Sequence, residues 1–373
     1  MKILVVFGTR PEAIKMCPLV LEIKKNESME CVVCITGQHK ELLEQSMRVF
    51  GLKADYDLNV MKRQQSLFSI TTDVLNGMEK ILDNEKPDIV LVHGDTTTAM
   101  ATAMAAFYKK IPIGHVEAGL RTGNIYSPYP EEANRLIIDR LSSMLFAPTE
   151  NNRRMLEKEG IVKNIFVTGN TVIDSFAYTV KENYVFENDE LKRIDFTKRV
   201  VVITAHRREN WGNALINICK AVQYLANTNS DITFIYSVHP NPVVSETVYT
   251  LLKEIDNVVL VKPISVEDMH NLQSKCFLVM TDSGGLQEEA PYFGKPVLVL
   301  RDVTERQEAV RAGTVRVIGT EKDRIIAETE RLINDEEAYK IMSNAISPYG
   351  DGKASMKIVS LIYENTNRLM KEE

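Results

Sequence analysis

DIVLVHGDTTTAMATAMAAFYKKIPIGHVEAG, residues 88–119, opens and closes on β-rich runs, DIVLVHGD (88–95) and IPIGHVEAG (111–119), with a helical pattern between them. Strand, helix, strand at this spacing is the signature of a βαβ unit, and so of a parallel sheet. The pattern repeats outward in both directions. Before it come KILVVFG (2–8) and CVVCITG (31–37); after it come MLFAPT (144–149) and NIFVTGN (164–170). The second half supplies RVVVITAH (199–206), DITFIYSVH (231–239), NVVLVKP (257–263), CFLVMTD (276–282), KPVLVLRD (295–302) and TVRVIG (314–319). About six strands in each half are enough for two doubly wound sheets. The expected fold class is therefore α/β, with two Rossmann-like domains facing across a cleft. The expected boundaries are 1–168 and 169–353, hinged near Gly169. Helix-spaced Ile358, Leu361, Ile362 and Leu369 suggest that 354–373 packs back on the first domain.

Composition narrows the class. A chain of 373 residues, 44% hydrophobic and 26% charged, has the make-up of an ordinary globular protein. Its net charge of −6, without a basic run, argues against nucleic-acid partners. Gly8, Arg10 and Pro11 interrupt the apolar start before a signal core or membrane span is complete, so the expected location is cytoplasmic. Five cysteines at 17, 31, 34, 219 and 276 make no disulfide framework. Cys31 and Cys34, three apart in a strand, face opposite ways and read as buried thiols rather than a zinc site.

Polar residues gather where strands stop: Arg10, then His93 and Asp95, then His115 and Glu117. Open α/β sheets bind ligands at those ends. Each residue also has a structural reading. Asp95 before Thr96–Thr98 fits a helix N-cap, and Glu131 and Glu132 after Pro130 fit a first helical turn. Arg135 fits an i+4 partner of Glu131, and the two histidines fit orienting roles. Taken together, three acids brought to one region repel one another, and at least one is expected to have a raised pKa. In TDSGGLQEEA (281–290) the backbone N–H groups of Ser283, Gly284 and Gly285 suit a phosphate, and Glu289 suits a ribose. SGG alone is also only a tight turn. GxGxxG is missing after the first strand, which disfavours NAD.

The chain closely resembles the non-hydrolysing UDP-N-acetylglucosamine 2-epimerases along essentially its whole length. The matching runs are FGTRPEAIKM (7–16), VHGDTTT (92–98), GHVEAGLRTGN (114–124), SPYPEEANR (127–135), TGNTVID (168–174), TAHRREN (204–210), TDSGGLQEEAP (281–291) and PYGDG (348–352). HGDTTT and HVEAGLRTG place it apart from the hydrolysing enzymes. The resemblance implies the glycosyltransferase-B fold, a homodimer, and interconversion of UDP-GlcNAc and UDP-ManNAc with no metal or redox cofactor. It implies loss of UDP to 2-acetamidoglucal and re-addition, with domain closure retaining the intermediate, and a product that feeds surface polysaccharides.

By position, the resemblance makes Asp95, Glu117 and Glu131 the catalytic carboxylates and His206 the partner of the departing diphosphate. It makes Arg10, Lys15, Arg135, Ser283, Gly284, Gly285, Glu289 and Arg306 substrate contacts. Gln38, Glu132, Arg207 and His239 match the family's regulatory UDP-GlcNAc pocket. Lys40-Glu41 and Gln64 depart from that pattern, with Arg63 one place early. A glycosyltransferase of the same fold, or a silent UDP-sugar sensor, is the competing reading; the three acids count against the sensor.

Overall fold

The structure, a computed structural model, describes residues 1–37, 40–60 and 65–369, with the side chains of 40–42 and 366–369 outside that description. The chain divides into two compact units, Met1–Tyr178 with Tyr349–Glu373, and Thr179–Pro348.

The first unit is a seven-stranded sheet: β1 (Lys2–Phe7), β2 (Glu30–Ile35), β3 (Tyr56–Asp57), β4 (Ile89–His93), β5 (Ile113–Val116), β6 (Met144–Ala147) and β7 (Ile165–Val167). Their order is β3-β2-β1-β4-β5-β6-β7, and every pairing is parallel. The second unit is a six-stranded sheet: β8 (Val200–Thr204), β9 (Thr233–Ser237), β10 (Val258–Val261), β11 (Leu278–Thr281), β12 (Val297–Val299) and β13 (Val315–Val317). It too is parallel, in the order β10-β9-β8-β11-β12-β13. These are the two doubly wound α/β domains expected from the sequence. The extra strand, β3, is two residues at the sheet edge, too short to carry a periodic signal.

Helices cover both faces, so the central strands are apolar on consecutive positions. Ile3 to Phe7 are all 1% exposed or less, and alternate residues join different cores: Ile3, Val5 and Phe7 pack on one face, Leu4 and Val6 on the other. Cys31 and Cys34 are split the same way.

The first boundary falls ten residues beyond the expected 168. The helix Thr171–Thr179 follows the last strand of the first sheet and belongs to that unit up to Tyr178, whose ring lies 5.6 Å from Phe50. The last helix, Ala354–Leu369, buries Ile358, Val359 and Ile362 in the core shared with the helix Arg10–Lys24. No described helix is long and apolar enough to cross a membrane.

Candidate active site

In each sheet the strand order reverses beside the first strand, β1 against β4 and β8 against β11, and this is where open α/β sheets leave a crevice. A buried carboxylate spans each crevice. In the first unit it is Glu12, 3% exposed, in the helix that Thr9 caps. It accepts from the Gly8 and Thr9 amides (3.0 and 2.7 Å) and from Thr96 Oγ1 (2.9 Å), tying the end of β1 to the turn after β4. Burial raises the Glu12 carboxyl against the opposing pull of His93 and these bonds.

Around that tie stand the expected acids. Glu117 follows β5 with φ +69°, a left-handed conformation unusual for a side-chain-bearing residue, which an active site maintains at a cost of about 1 kcal/mol or more. Its Oε2 pairs with Lys15, accepts from Asn170 Nδ2 at 3.2 Å and lies 3.6 Å from His93 Nε2. Burial pushes this carboxyl up, but Lys15 and His93 outweigh it and hold the group well below the usual carboxylate range. Glu117 is therefore not the acid that holds a raised carboxyl: a cation on it relieves the repulsion, while Glu12, outside the three, is raised by burial.

Asp95 pairs with Arg135 Nη2 at 2.5 Å, and its carbonyl accepts from Asn134 Nδ2 at 2.8 Å. Arg135 Nη1 also meets Glu132 Oε2 at 2.8 Å, not Glu131. Glu131 instead has a buried Oε2 with no hydrogen-bond partner among the described residues. Glu132, 2% exposed, accepts from the Thr122 and Gly123 amides at 3.0 Å and so anchors the loop that leads from Glu117 to Glu131. Arg10 is the first residue of the helix Arg10–Lys24, on the same edge.

His115 orients rather than reacts. It is fully buried, with Nδ1 2.6 Å from Asp139 Oδ1 and Nε2 2.8 Å from the Gly94 carbonyl. Asp139 also takes Arg121 Nη2 at 2.7 Å and the Gly119 amide at 3.3 Å, so one carboxylate fixes the loops that present Asp95 and Glu117. Gly119 is required here: at φ +83°, an added Cβ would stand 2.4 Å from the Asn152 carbonyl oxygen.

In the second unit the spanning carboxylate is Asp282, fully buried. Its Oδ2 accepts from the His206 and Arg207 amides (2.7 and 2.8 Å) and Asn210 Nδ2 (2.9 Å), drawing the loop after β8 to the end of β11. Its Oδ1 lies 3.4 Å from His206 Nδ1. His206 stacks on His239, with centroids 5.3 Å apart and planes 10° apart. Burial lowers the His206 pKa, Asp282 opposes this, and His239 and Arg207 reinforce it.

Ser283 precedes the short helix Gly284–Glu289 and makes no side-chain cap bond. Arg306 lies over that turn: a Cβ on Gly284 would stand 2.9 Å from its Cζ. Its guanidinium meets Glu288 (2.7 Å) and Glu305 (2.6 Å). Burial raises Glu305, but Arg306 and Arg301 bring it down to about 2. Glu289 Oε2 accepts from Gln273 Nε2 at 2.7 Å, and Oε1 stands near Gly285, 3.3 Å from where a Cβ would be. Gln38, Arg63 and Gln64 lie outside the described residues, as do the side chains of Lys40 and Glu41. Sequence reasoning missed Glu12, Asp139 and Asp282. For Asp282 the signal was an acid directly after β11 and before SGG; for Glu12 it was the Thr9-x-x-Glu12 capping box.

A family model described as UDP-N-acetylglucosamine 2-epimerase matches residues 21–363. A UDP-N-acetylglucosamine 2-epimerase of Escherichia coli (strain K12) is 49% identical over 374 residues, covering 98% of this chain and 99% of that one. The crystal structure of UDP-GlcNAc 2-epimerase from Neisseria meningitidis bound to UDP-GlcNAc is similar at TM-score 0.90 and 47% identity, covering 98% of this chain and 100% of that one. The glycotransferase of kitacinnamycin, at 12% identity and TM-score 0.66, shares the fold alone, of the glycosyltransferase-B type. Matched along nearly its whole length, the chain belongs to the UDP-N-acetylglucosamine 2-epimerase family.

Proposed function

We propose that this chain interconverts UDP-N-acetylglucosamine and UDP-N-acetylmannosamine without hydrolysing them. The observation that carries this reading is the set of three acids in unlike states: Glu117 held ionised by Lys15, Asp95 paired with Arg135, and Glu131 with an unpartnered oxygen. The C2 proton of the sugar is not next to a carbonyl and is a poor acid, so the anomeric C–O bond breaks first, with UDP leaving. Loss of the C2 proton then gives 2-acetamidoglucal, and UDP returns as a proton is delivered to the opposite face. An ionised carboxylate suits proton removal, and Glu117 takes that role. Glu131 serves the other face, and Arg135 holds Asp95.

In the second unit, the turn Ser283–Gly285 and Arg306 hold the diphosphate, and Glu289, oriented by Gln273, accepts from the ribose. His206 is biased to the neutral form by burial. An arriving diphosphate supplies the negative charge that favours its protonation, so it becomes an acid when a leaving group is present. Arg10 contributes charge in the first unit. No step here calls for a metal or redox cofactor.

The test is proton NMR of the purified protein with UDP-GlcNAc alone in D₂O. UDP-ManNAc with deuterium at C2 supports the reading. Free N-acetylmannosamine would make the enzyme a hydrolase, and an unchanged substrate would favour a transferase or sensor.

A homodimer is part of this reading. Phe107, Tyr108 and Ile137 are 54, 66 and 40% exposed on two neighbouring helices of the first unit, apolar side chains suited to a second copy. Sedimentation of wild type against Phe107→Asp tests it. Regulation by UDP-GlcNAc is also part of it, with Arg207 and exposed His239 as contacts and Glu132 as the anchor of its loop. Because Glu41 replaces a neutral residue and Gln64 a bidentate arginine, activation is expected to need more UDP-GlcNAc than in members with the full pattern. A lag in the reaction of pure UDP-ManNAc, abolished by added UDP-GlcNAc, is the expected result. The product suits surface-polysaccharide synthesis.

A further inference from the structure

His93 ends β4 and is 4% exposed, yet neither ring nitrogen has a hydrogen-bond partner among the described residues. Buried polar groups are nearly always paired, because removing them from water without a replacement bond is costly. A core position open to an apolar ring therefore holds an imidazole at a disadvantage to stability. The group facing the ring is Glu117, whose Oε2 is 3.6 Å from His93 Nε2, about half an ångström beyond an ordinary hydrogen bond. The titratable groups around this pair come from several elements. Lys15 reaches Glu117 from the helix after β1, and Glu12, on the same helix, feels the field of His93. Asp95, two residues along from His93, is tied to Arg135.

We propose that His93 is a positioning residue for Glu117, donating Nε2–H to its Oε2 in the working enzyme and so fixing the direction and the charge of that carboxylate. Oε2 is already held by Lys15 and Asn170, and a half-ångström shift brings His93 in as its third donor. Lys15 supplies charge from a flexible stem, whereas the strand-borne ring supplies a fixed direction. Burial working against Lys15 and His93 at Glu117 fits this arrangement. The assignment rests on the proposed reaction only for its kinetic half.

The test compares His93→Phe, which keeps a ring and removes both nitrogens, with His93→Gln, which keeps one donor. The first measurement needs no turnover: the protonation midpoint of Glu117, followed by ¹³C NMR of labelled glutamate and assigned by its loss in Glu117→Gln. The expected midpoint rises by about one pH unit in His93→Phe and by less in His93→Gln. An unchanged midpoint in His93→Phe would overturn the proposal. The second is the pH profile of epimerisation, where His93→Phe is expected to lower kcat about tenfold or more at neutral pH, leave KM nearly unchanged, and move the acid limb to higher pH. A fall in kcat with the limb unmoved would make His93 merely structural. Should His93→Phe fail to fold, His93→Leu, which also removes both nitrogens, decides, with a midpoint equal to wild type counting against the idea. Wild-type protein that produces no epimer would remove the reaction assigned above, and the Glu117 titration would then decide for or against His93 by itself.

Discussion

Glu117 and Glu131 share the proposed chemistry, but replacing each carboxylate by its amide should have unlike consequences. Each of Asp95→Asn, Glu117→Gln and Glu131→Gln is expected to slow epimerisation by about 10² or more, as loss of a proton-handling or orienting group does. Stability then separates them. Glu117→Gln takes a counterion from buried Lys15, and breaking a buried pair costs about 3 kcal/mol or more. Glu131→Gln replaces a carboxyl with a buried oxygen that has no hydrogen-bond partner among the described residues, and is expected to leave the melting temperature unchanged or raised. Thermal unfolding beside steady-state rates checks both, and a Glu117→Gln protein as stable as wild type would contradict the buried pair. At this scale the sequence was read well where a residue ends a strand. It was read poorly where function depends on contacts across a hundred residues, as between Lys15 and Glu117. For Glu117, crowding suggested a raised carboxyl because the cation that lowers it is distant in sequence.

Elements were legible because helices on both faces make the central strands nearly continuous apolar runs, as in Ile3–Phe7 of β1, Ile89–Val92 of β4 and Val200–Ile203 of β8. The ties between elements were not legible, since a carboxylate that receives backbone N–H groups from another segment leaves no periodic trace. Asp139 and Asp282 do this for the site loops, Glu12 reaches across through the Thr96 hydroxyl, and Asp174 serves the last helix, accepting from the Ala354 and Ser355 amides at 3.2 and 2.7 Å. Asp174→Ala is expected to cost about 1–2 kcal/mol, the usual worth of a helix N-cap, without changing KM. His270, in the helix Val266–Lys275, gives a pH dependence. Burial lowers its pKa to about 3, and Nδ1 meets Thr179 Oγ1 at 2.8 Å. Because the folded pKa lies below the unfolded value near 6.5, the unfolded chain binds the extra proton between them. Stability from this group is therefore full above about pH 6.5 and falls with acid, by up to ~1.4 kcal/mol per pH unit. Denaturant titrations between pH 6.5 and 5 should show this slope in wild type and a flatter one in His270→Asn. Equal slopes would remove His270 as the cause.

On the scale of the whole molecule, the two units differ in continuity: Thr179–Pro348 is one uninterrupted segment, whereas the first unit is completed by residues from Tyr349 onward. The sequence indicated two sheets and a returning helix, but put the first boundary at the end of the strand pattern. A helix that packs backward through Tyr178 onto Phe50 looks, from its spacing, like the start of the second domain. The division makes a prediction about fragments. A chain of residues 179–348 keeps its whole core and its Asp282-tied loops, so it is expected to unfold cooperatively. It should also bind UDP through the contacts proposed above, the turn Ser283–Gly285 and Arg306. A chain of residues 1–178 loses Ile358, Val359 and Ile362 from its core, at about 1.5–3 kcal/mol for each buried side chain. Together these come to about 4.5–9 kcal/mol, as much as the whole stability of a marginal domain. It should be collapsed or aggregated alone and regain a cooperative transition when residues 349–369 are supplied as a peptide or fused through a flexible linker. Circular dichroism melts of the fragments, with calorimetric UDP titration of 179–348, read both outcomes. A 1–178 fragment that melts cooperatively unaided would show the last helix to be an accessory to the first domain rather than part of its core.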